Sequence, residues 1–190
     1  MIKTSEYLDI TLARYAGSFD ITKEAEINGR IYPAFGRFTS MGEKYVLSKK
    51  ARLWAFEAFE YILFLEEEEC TLELLEQIRK TMIEYMEPEY VRAHKKYPDE
   101  NHMYSYLTAA IICEKKPTEE VLRAIKKFEF DKGYLFSMRG HTEAHLVVTD
   151  METEGVYVNG AGRALKKIFL SNFEQVKKGA KGYNELYIGV

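Results

Sequence analysis

Residues 51–65, ARLWAFEAFEYILFL, are an almost unbroken apolar and aromatic run, with Glu57 and Glu60 the two acids inside it. Such a run, rich in aromatic and aliphatic residues, reads as strands and hairpins. It is longer than an average strand, so a bend near Phe56–Phe59 and two strands are expected. The stretches before it, GRIYPAFGRF and EKYVLSKK, have the same β-branched and aromatic texture with short polar breaks. Gly36 is expected to mark a bulge and Ser40-Met41-Gly42-Glu43 a turn.

Helical spacing brackets this region. Tyr7, Leu8, Leu12 and Tyr15 form a stripe that Thr4 or Ser5 can cap and Gly17 can end. Thr71 is placed to cap a second helix, with the acids Glu66–Glu69 before it and a stripe of Leu72, Leu75, Ile78, Met82 and Met86 that Pro88 is expected to break. The polar stretch KKYPDENH reads as an exposed connection. Beyond it, MYSYLTAAIIC suits a central strand, and Pro117-Thr118-Glu119-Glu120 opens a helix carrying Val121, Leu122, Ile125 and Phe128. KGYLFSMR, HTEAHLVVTD and VYVN read as strands. A helix with Leu165, Ile168, Phe169, Phe173 and Val176 follows, and residues 183–189 are expected to add a strand.

These elements predict one α+β domain over residues 1–190: a mixed, mostly antiparallel sheet covered by three or four helices. Tyr45–Ala51 and Tyr134–Gly140 share a Tyr/apolar/apolar/Ser/x/basic/small pattern, which raises two related half-lobes, 1–100 and 101–190, as an alternative organisation.

Charge limits the partners. The formal net charge is −3, with 27 Lys and Arg against 30 Asp and Glu, which argues against a duplex nucleic acid as the main partner. A mild asymmetry leaves the C-terminal half the more anion-facing. Cys70 and Cys113 have no zinc-ligand spacing and read as free thiols. No run approaches the roughly 20 apolar residues of a membrane span, and residues 1–15 do not resemble a signal peptide. A cytoplasmic setting is therefore expected.

Three constellations could carry chemistry. Pro98-Asp99 followed by Glu114-x-Lys116 matches the PD…ExK pattern of metal-dependent nucleases, in which two carboxylates hold a divalent metal and the lysine orients water. The intervening residues contain no turn signal after residue 102, so an extended reading separates Asp99 from Glu114 by roughly 40–50 Å. An acid from a neighbouring strand, such as Glu57 or Glu60, would have to replace Asp99. His141, Glu143 and His145 alternate along one strand face, either as metal ligands or as an ordinary polar face. Gly160, Gly162 and Arg163 sit at a strand-to-helix turn, where amides and the helix dipole favour an anion or a cofactor phosphate. His94 and His102 supply no ligand spacing. The crowd of Tyr32, Phe35, Phe38, Tyr45, Trp54, Phe56, Phe59 and Tyr61 is mostly core, and any exposed part would form a binding or dimerisation patch.

The order of EKYVLSKKARLWAFEAFEYILF, KPTEEVLRAIKKFEFDKGYLFSMRG and HLVVTDMETEGVYVNGAGRALKK resembles an uncharacterised family of bacterial, chiefly Firmicute, proteins of unknown function, across most of residues 29–170. The resemblance implies a bacterial cytoplasmic setting and no catalytic residues. With no converging nucleophile, base or ligand set, the expected function is non-enzymatic binding of a small molecule or a protein, a second copy of the chain included, with no cofactor. The alternative is a metal-dependent nuclease or hydrolase using Glu114 and Lys116.

Overall fold

The computed structural model describes residues 2–45 and 52–189, with side chains outside 41–56. Helix α1 spans Thr4–Tyr15 and is preceded by Lys3 at the cap position, so neither Thr4 nor Ser5 caps it. Strand β1, Asp20–Ile27, is an addition to the expected set. It turns into β2, Arg30–Tyr45, through Asn28 and Gly29, whose φ values of 52° and 75° place both in the left-handed region. Ile27 faces Arg30 across them, the register of a two-residue type I′ hairpin.

Strand β3 spans Arg52–Glu67 without the expected bend. It pairs antiparallel with β2 from Ala34↔Phe64 to Tyr45↔Arg52, so the turn expected at residues 40–43 is straight ladder. The irregularity near Phe56–Phe59 reduces to a register shift at Glu57/Ala58 in the pairing with the next strand. Gly36 is no bulge: it pairs in register with Ile21 and Ile62. A Cβ there would stand 2.7 Å from Ile62 Cγ2, so close side-chain packing accounts for the glycine. Of the Tyr45–Ala51 pattern, residues 46–51 lie outside the described residues.

Helix α2, Leu72–Lys80, is capped as expected, with Leu74 N–H donating to Thr71 Oγ1 at 3.1 Å. Pro88 does not break it. The chain continues as a π-helical segment, Thr81–Val91, whose wider turns carry it through the proline's missing donor. Strand β4, His102–Cys113, then runs parallel to β3. Helix α3, Glu119–Lys127, starts at the Thr118 cap. KGYLFSMR gives only the three-residue β5, Asp131–Gly133, because Leu135, Phe136 and Ser137 are consecutively left-handed and fold into a tight knuckle. Strand β6, His141–Asp150, is parallel to β4, and β7, Gly155–Val158, pairs antiparallel with it. A 3-10 turn, Ala161–Ala164, leads into α4, Leu165–Lys177. The expected last strand is a π-helical turn, Asn184–Ile188.

The fold is α+β, with a mixed sheet of seven strands among the described residues in the order β1-β2-β3-β4-β6-β5, and β7 also on the outer edge of β6. Strands from both halves of the chain share it. Alternation sends Leu63, Leu107, Ile111 and Leu146 to the face covered by α2, the π segment and α3. Ile62, Phe64, Ala110, Ile112 and Val147 go to the face covered by α1 and α4. Those two helices are clasped by the Tyr7 hydroxyl donating to Phe169 O at 2.6 Å and by Asn172 Nδ2 donating to Thr11 Oγ1 at 3.0 Å. Residues 61–65 are thus buried on both faces where β3 lies between β2 and β4.

Candidate functional site

Where the N-terminal end of β4 meets the middle of β3, the π segment stands off the sheet and leaves a recess of about 180 Å³. Phe59 and Tyr61 alternate onto this face and form its floor, with their rings nearly parallel at 6.2 Å. His102 stacks on Phe59 at 6.3 Å, and Tyr90 from the π segment stacks on Tyr61 at 5.2 Å. Arg37, opposite Tyr61 on β2, lies over the Tyr61 ring at 6.0 Å. Glu57, Asp99 and Arg92 complete the walls.

The frame around the recess is rigid and polar. Glu87, 1% exposed inside the π segment, accepts from Arg92 Nε at 2.7 Å, Arg92 Nη2 at 3.0 Å, Lys132 Nζ at 3.0 Å and the Tyr134 hydroxyl at 2.7 Å. Burial alone would push its carboxyl up, but the hydrogen bonds from Arg92, Tyr134 and Lys132, with the Lys132 charge, more than offset that and hold it below the usual range. Arg92 Nη1 also donates to Lys95 O at 2.6 Å, so three of the five guanidinium N–H groups are held by protein acceptors. His102 is buried, and burial lowers its pKa. Its Nδ1 lies 2.8 Å from Arg139 O, an acceptor only, so Nδ1 carries the proton and Nε2 accepts from Ser105 Oγ at 2.8 Å. Gly140, at φ 75°, lets the chain pass against His102, since a Cβ would meet the Met103 carbonyl. Burial, then Tyr85, Glu89 and Tyr61, push the Tyr90 hydroxyl up to about 12, so it stays a neutral phenol. Five of the non-glycine residues with positive φ, Ala93, His94, Leu135, Phe136 and Ser137, fall on the segments that build this frame. Backbone strain of this kind concentrates where a site is held in shape.

The other constellations are arranged differently. Asp99 precedes β4 and Glu114 follows it, so the 12-residue strand stands between them, about 40 Å at ~3.3 Å per residue. Asp99 pairs with Lys95 at 2.6 Å and lines the recess. Beside the exposed Glu114, Lys115 pairs with Glu68, and Lys116 N–H donates to Glu152 at 2.9 Å. Among the described residues, no group of three or more His, Cys, Asp or Glu side chains is placed to hold a metal ion.

His141, Glu143 and His145 do share one face of β6, but β6 is an interior strand and His145 is buried. His145 Nε2 lies 3.0 Å from Glu143 Oε1, and its ring stacks on Tyr106 at 4.5 Å. Next to them Thr108 Oγ1 donates to Glu60 at 2.7 Å, and burial pushes the Glu60 carboxyl up against the pull of Thr108 and His145.

The glycine turn is organised by Asn159. Gly162 N–H, an amide an anion would need, donates to Asn159 Oδ1 at 2.9 Å, and a Cβ on Gly162 would sit 2.7 Å from that oxygen. Arg163 is exposed. Glu143 and Gly160 do meet, in a second hollow of about 270 Å³ lined also by Lys126, Glu129 and Asp131.

Sequence reasoning singled out Phe59 and Tyr61 but missed Arg37, Glu87, Tyr90, Arg92 and Tyr134. One signal was available: Glu87 sits beside Met86 on an apolar helical stripe, where an acid requires buried partners.

Fold and recess together define an α+β domain with a framed cleft on its parallel strands, at the N-terminal end of β4. A family model described as Domain of unknown function (DUF8052) matches residues 3–171, and the chain belongs to that family. No curated protein and no solved structure matches it.

Proposed function

We propose that this protein binds a small organic molecule in the recess between β3, β4 and the π segment, and holds it without transforming it. The observation that carries the reading is the floor of Phe59 and Tyr61 with His102 and Tyr90 stacked on it, set in a hydrogen-bonded polar frame. Such a floor offers a flat ring dispersion and quadrupole contacts, while Arg92 and His102 are oriented by protein partners. A volume of about 180 Å³, the share of roughly six waters in the liquid, suits a one-ring ligand. Buried Cys113 hydrogen-bonds Cys70, which together with burial raises its thiol pKa, and both remain free thiols. Free thiols fit the expected reducing, cytoplasmic setting. Among the described residues, no helix is long and apolar enough to cross a membrane.

Ligand-detected NMR with phenol, benzoate, benzylamine and 4-(aminomethyl)benzoate tests the reading. At least one probe should show saturable transfer that Phe59→Ala abolishes and that Phe136→Ala, at a ring 97% exposed on the knuckle, leaves intact. Silence from all four, or binding that survives Phe59→Ala, defeats it.

A further inference from the structure

We infer that the ligand is dipolar, with an amino group at one end, an anionic group at the other and a flat apolar centre between them. The inference rests on the recess being the binding site. It follows from how charge is distributed along β3. Glu57, Phe59 and Tyr61 occupy alternate positions on one face, so Glu57 and Tyr61 are about 13 Å apart along the strand. Arg37 is the register partner of Tyr61, which puts the guanidinium at the Tyr61 end. The opposite end is acidic. Glu57 N–H donates to Asn101 O at 2.8 Å, which brings the segment carrying Asp99 beside Glu57.

The other ionisable groups at the recess are already engaged. Arg92 is held by Glu87 and by the Lys95 carbonyl, His102 is a neutral imidazole with both nitrogens bonded, and Tyr90 is a neutral phenol. The pairing of Asp99 with Lys95 is solvent-exposed, 70% and 59%, and a weak surface pair is readily replaced by a ligand ammonium. A ligand with only one charge would cover Arg37 or Glu57 without giving it a partner, and desolvating an unmatched charge costs affinity. A free α-amino acid carries both charges on a single carbon and cannot reach both ends. An amine and a carboxylate separated by a ring, or by the roughly 7 Å of an extended dipeptide, can.

Four probes that share one ring separate the cases: benzylamine, benzoate, phenylglycine and 4-(aminomethyl)benzoate, each titrated against the full chain by calorimetry. The expected result is that 4-(aminomethyl)benzoate binds at least about tenfold more tightly than the other three, one charge-assisted contact's worth. Arg37→Gln should bring it down to the benzylamine level, and Glu57→Gln to the benzoate level, with unfolding midpoints unchanged as a check on folding. If a singly charged probe binds as tightly as 4-(aminomethyl)benzoate, the dipolar class is wrong while the recess stands as the site. If none of the four binds, the recess itself is wrong.

Discussion

Asn159 repairs a gap in the sheet, and its removal should be among the most damaging single changes available outside the recess. On the outer edge of β6, β5 pairs only as far as Glu143 and β7 begins only at Val147. Between them the side chain of Asn159, 2% exposed, stands in for a strand. Its Oδ1 accepts from Leu146 N–H and Gly162 N–H, both at 2.9 Å, and its Nδ2 donates to Ala144 O at 2.8 Å and Phe128 O at 3.0 Å. That is the full bonding capacity of a carboxamide. Asn159→Ala strands four backbone groups, each worth about 1 kcal/mol net, for about 4 kcal/mol. Water entering the adjoining hollow of about 270 Å³ would restore part of this and bring the loss to about 2 kcal/mol. Against a typical stability of about 5–15 kcal/mol the effect is large, and in urea it should lower the midpoint by about 1–2 M with little change in slope. Asn159→Asp supplies an internal control. Its carboxylate would oppose two carbonyl oxygens, so it should be worse than alanine at pH 7 and recover as acidification protonates it. A loss below about 1 kcal/mol for Asn159→Ala would refute the bridging role.

The buried Glu87 and the partly buried Glu60 should respond to pH with opposite signs. Glu87 has a depressed pKa in the fold, so its contribution is present above the ordinary glutamate value of 4.5 and is lost as pH falls through the folded value. Glu87→Gln should therefore cost about 3 kcal/mol at pH 7, towards the low end for a buried pair because Lys132 is 42% exposed, and the gap to wild type should close on acidification in denaturant melts. Glu60 has a raised pKa, so wild type is progressively destabilised as pH rises above 4.5; Glu60→Gln should be the more stable protein at pH 8 and lose that advantage near pH 4. An unchanged ranking across the range would contradict the burial assigned to Glu60. Gly140→Ala should cost about 2–3 kcal/mol, since it combines a left-handed φ with a backbone collision at Met103, and calorimetric unfolding would register it.

The sequence revealed elements wherever one local signal dominated. Thr71 and Thr118 announce their helices because a hydroxyl cap needs nothing beyond the first turn. β4 was legible as an apolar run because it is an interior strand, and β6 from the alternation of Thr142, Ala144, Leu146 and Val148. β1 escaped because Ala25 and Ile27 are its only buried side chains, although Asn28-Gly29 is a strong hairpin signal. The bend assigned to β3 came from average strand length, which a strand paired along its whole described length with β2 need not obey. Pro88 misled because a helix that widens into π turns can absorb a missing donor. The site was half legible. Its floor lies within one strand, but Tyr90, Arg92 and His102 arrive through a parallel crossover, and crossover register is not written in local pattern.

The clasp between α1 and α4 also bears on the order in which the chain becomes ordered. Tyr7 and Phe169 are 162 positions apart, whereas the β1–β2–β3 meander is closed by short sequence separations. Closing so long a loop has an entropy cost that is met before the contacts return it, so α1 is expected to be fixed later than the meander. Native-state hydrogen exchange should accordingly find the α1 amides opening at lower free energy than those of β3 and β4. The amino-terminal helix then acts as a latch on an already assembled sheet.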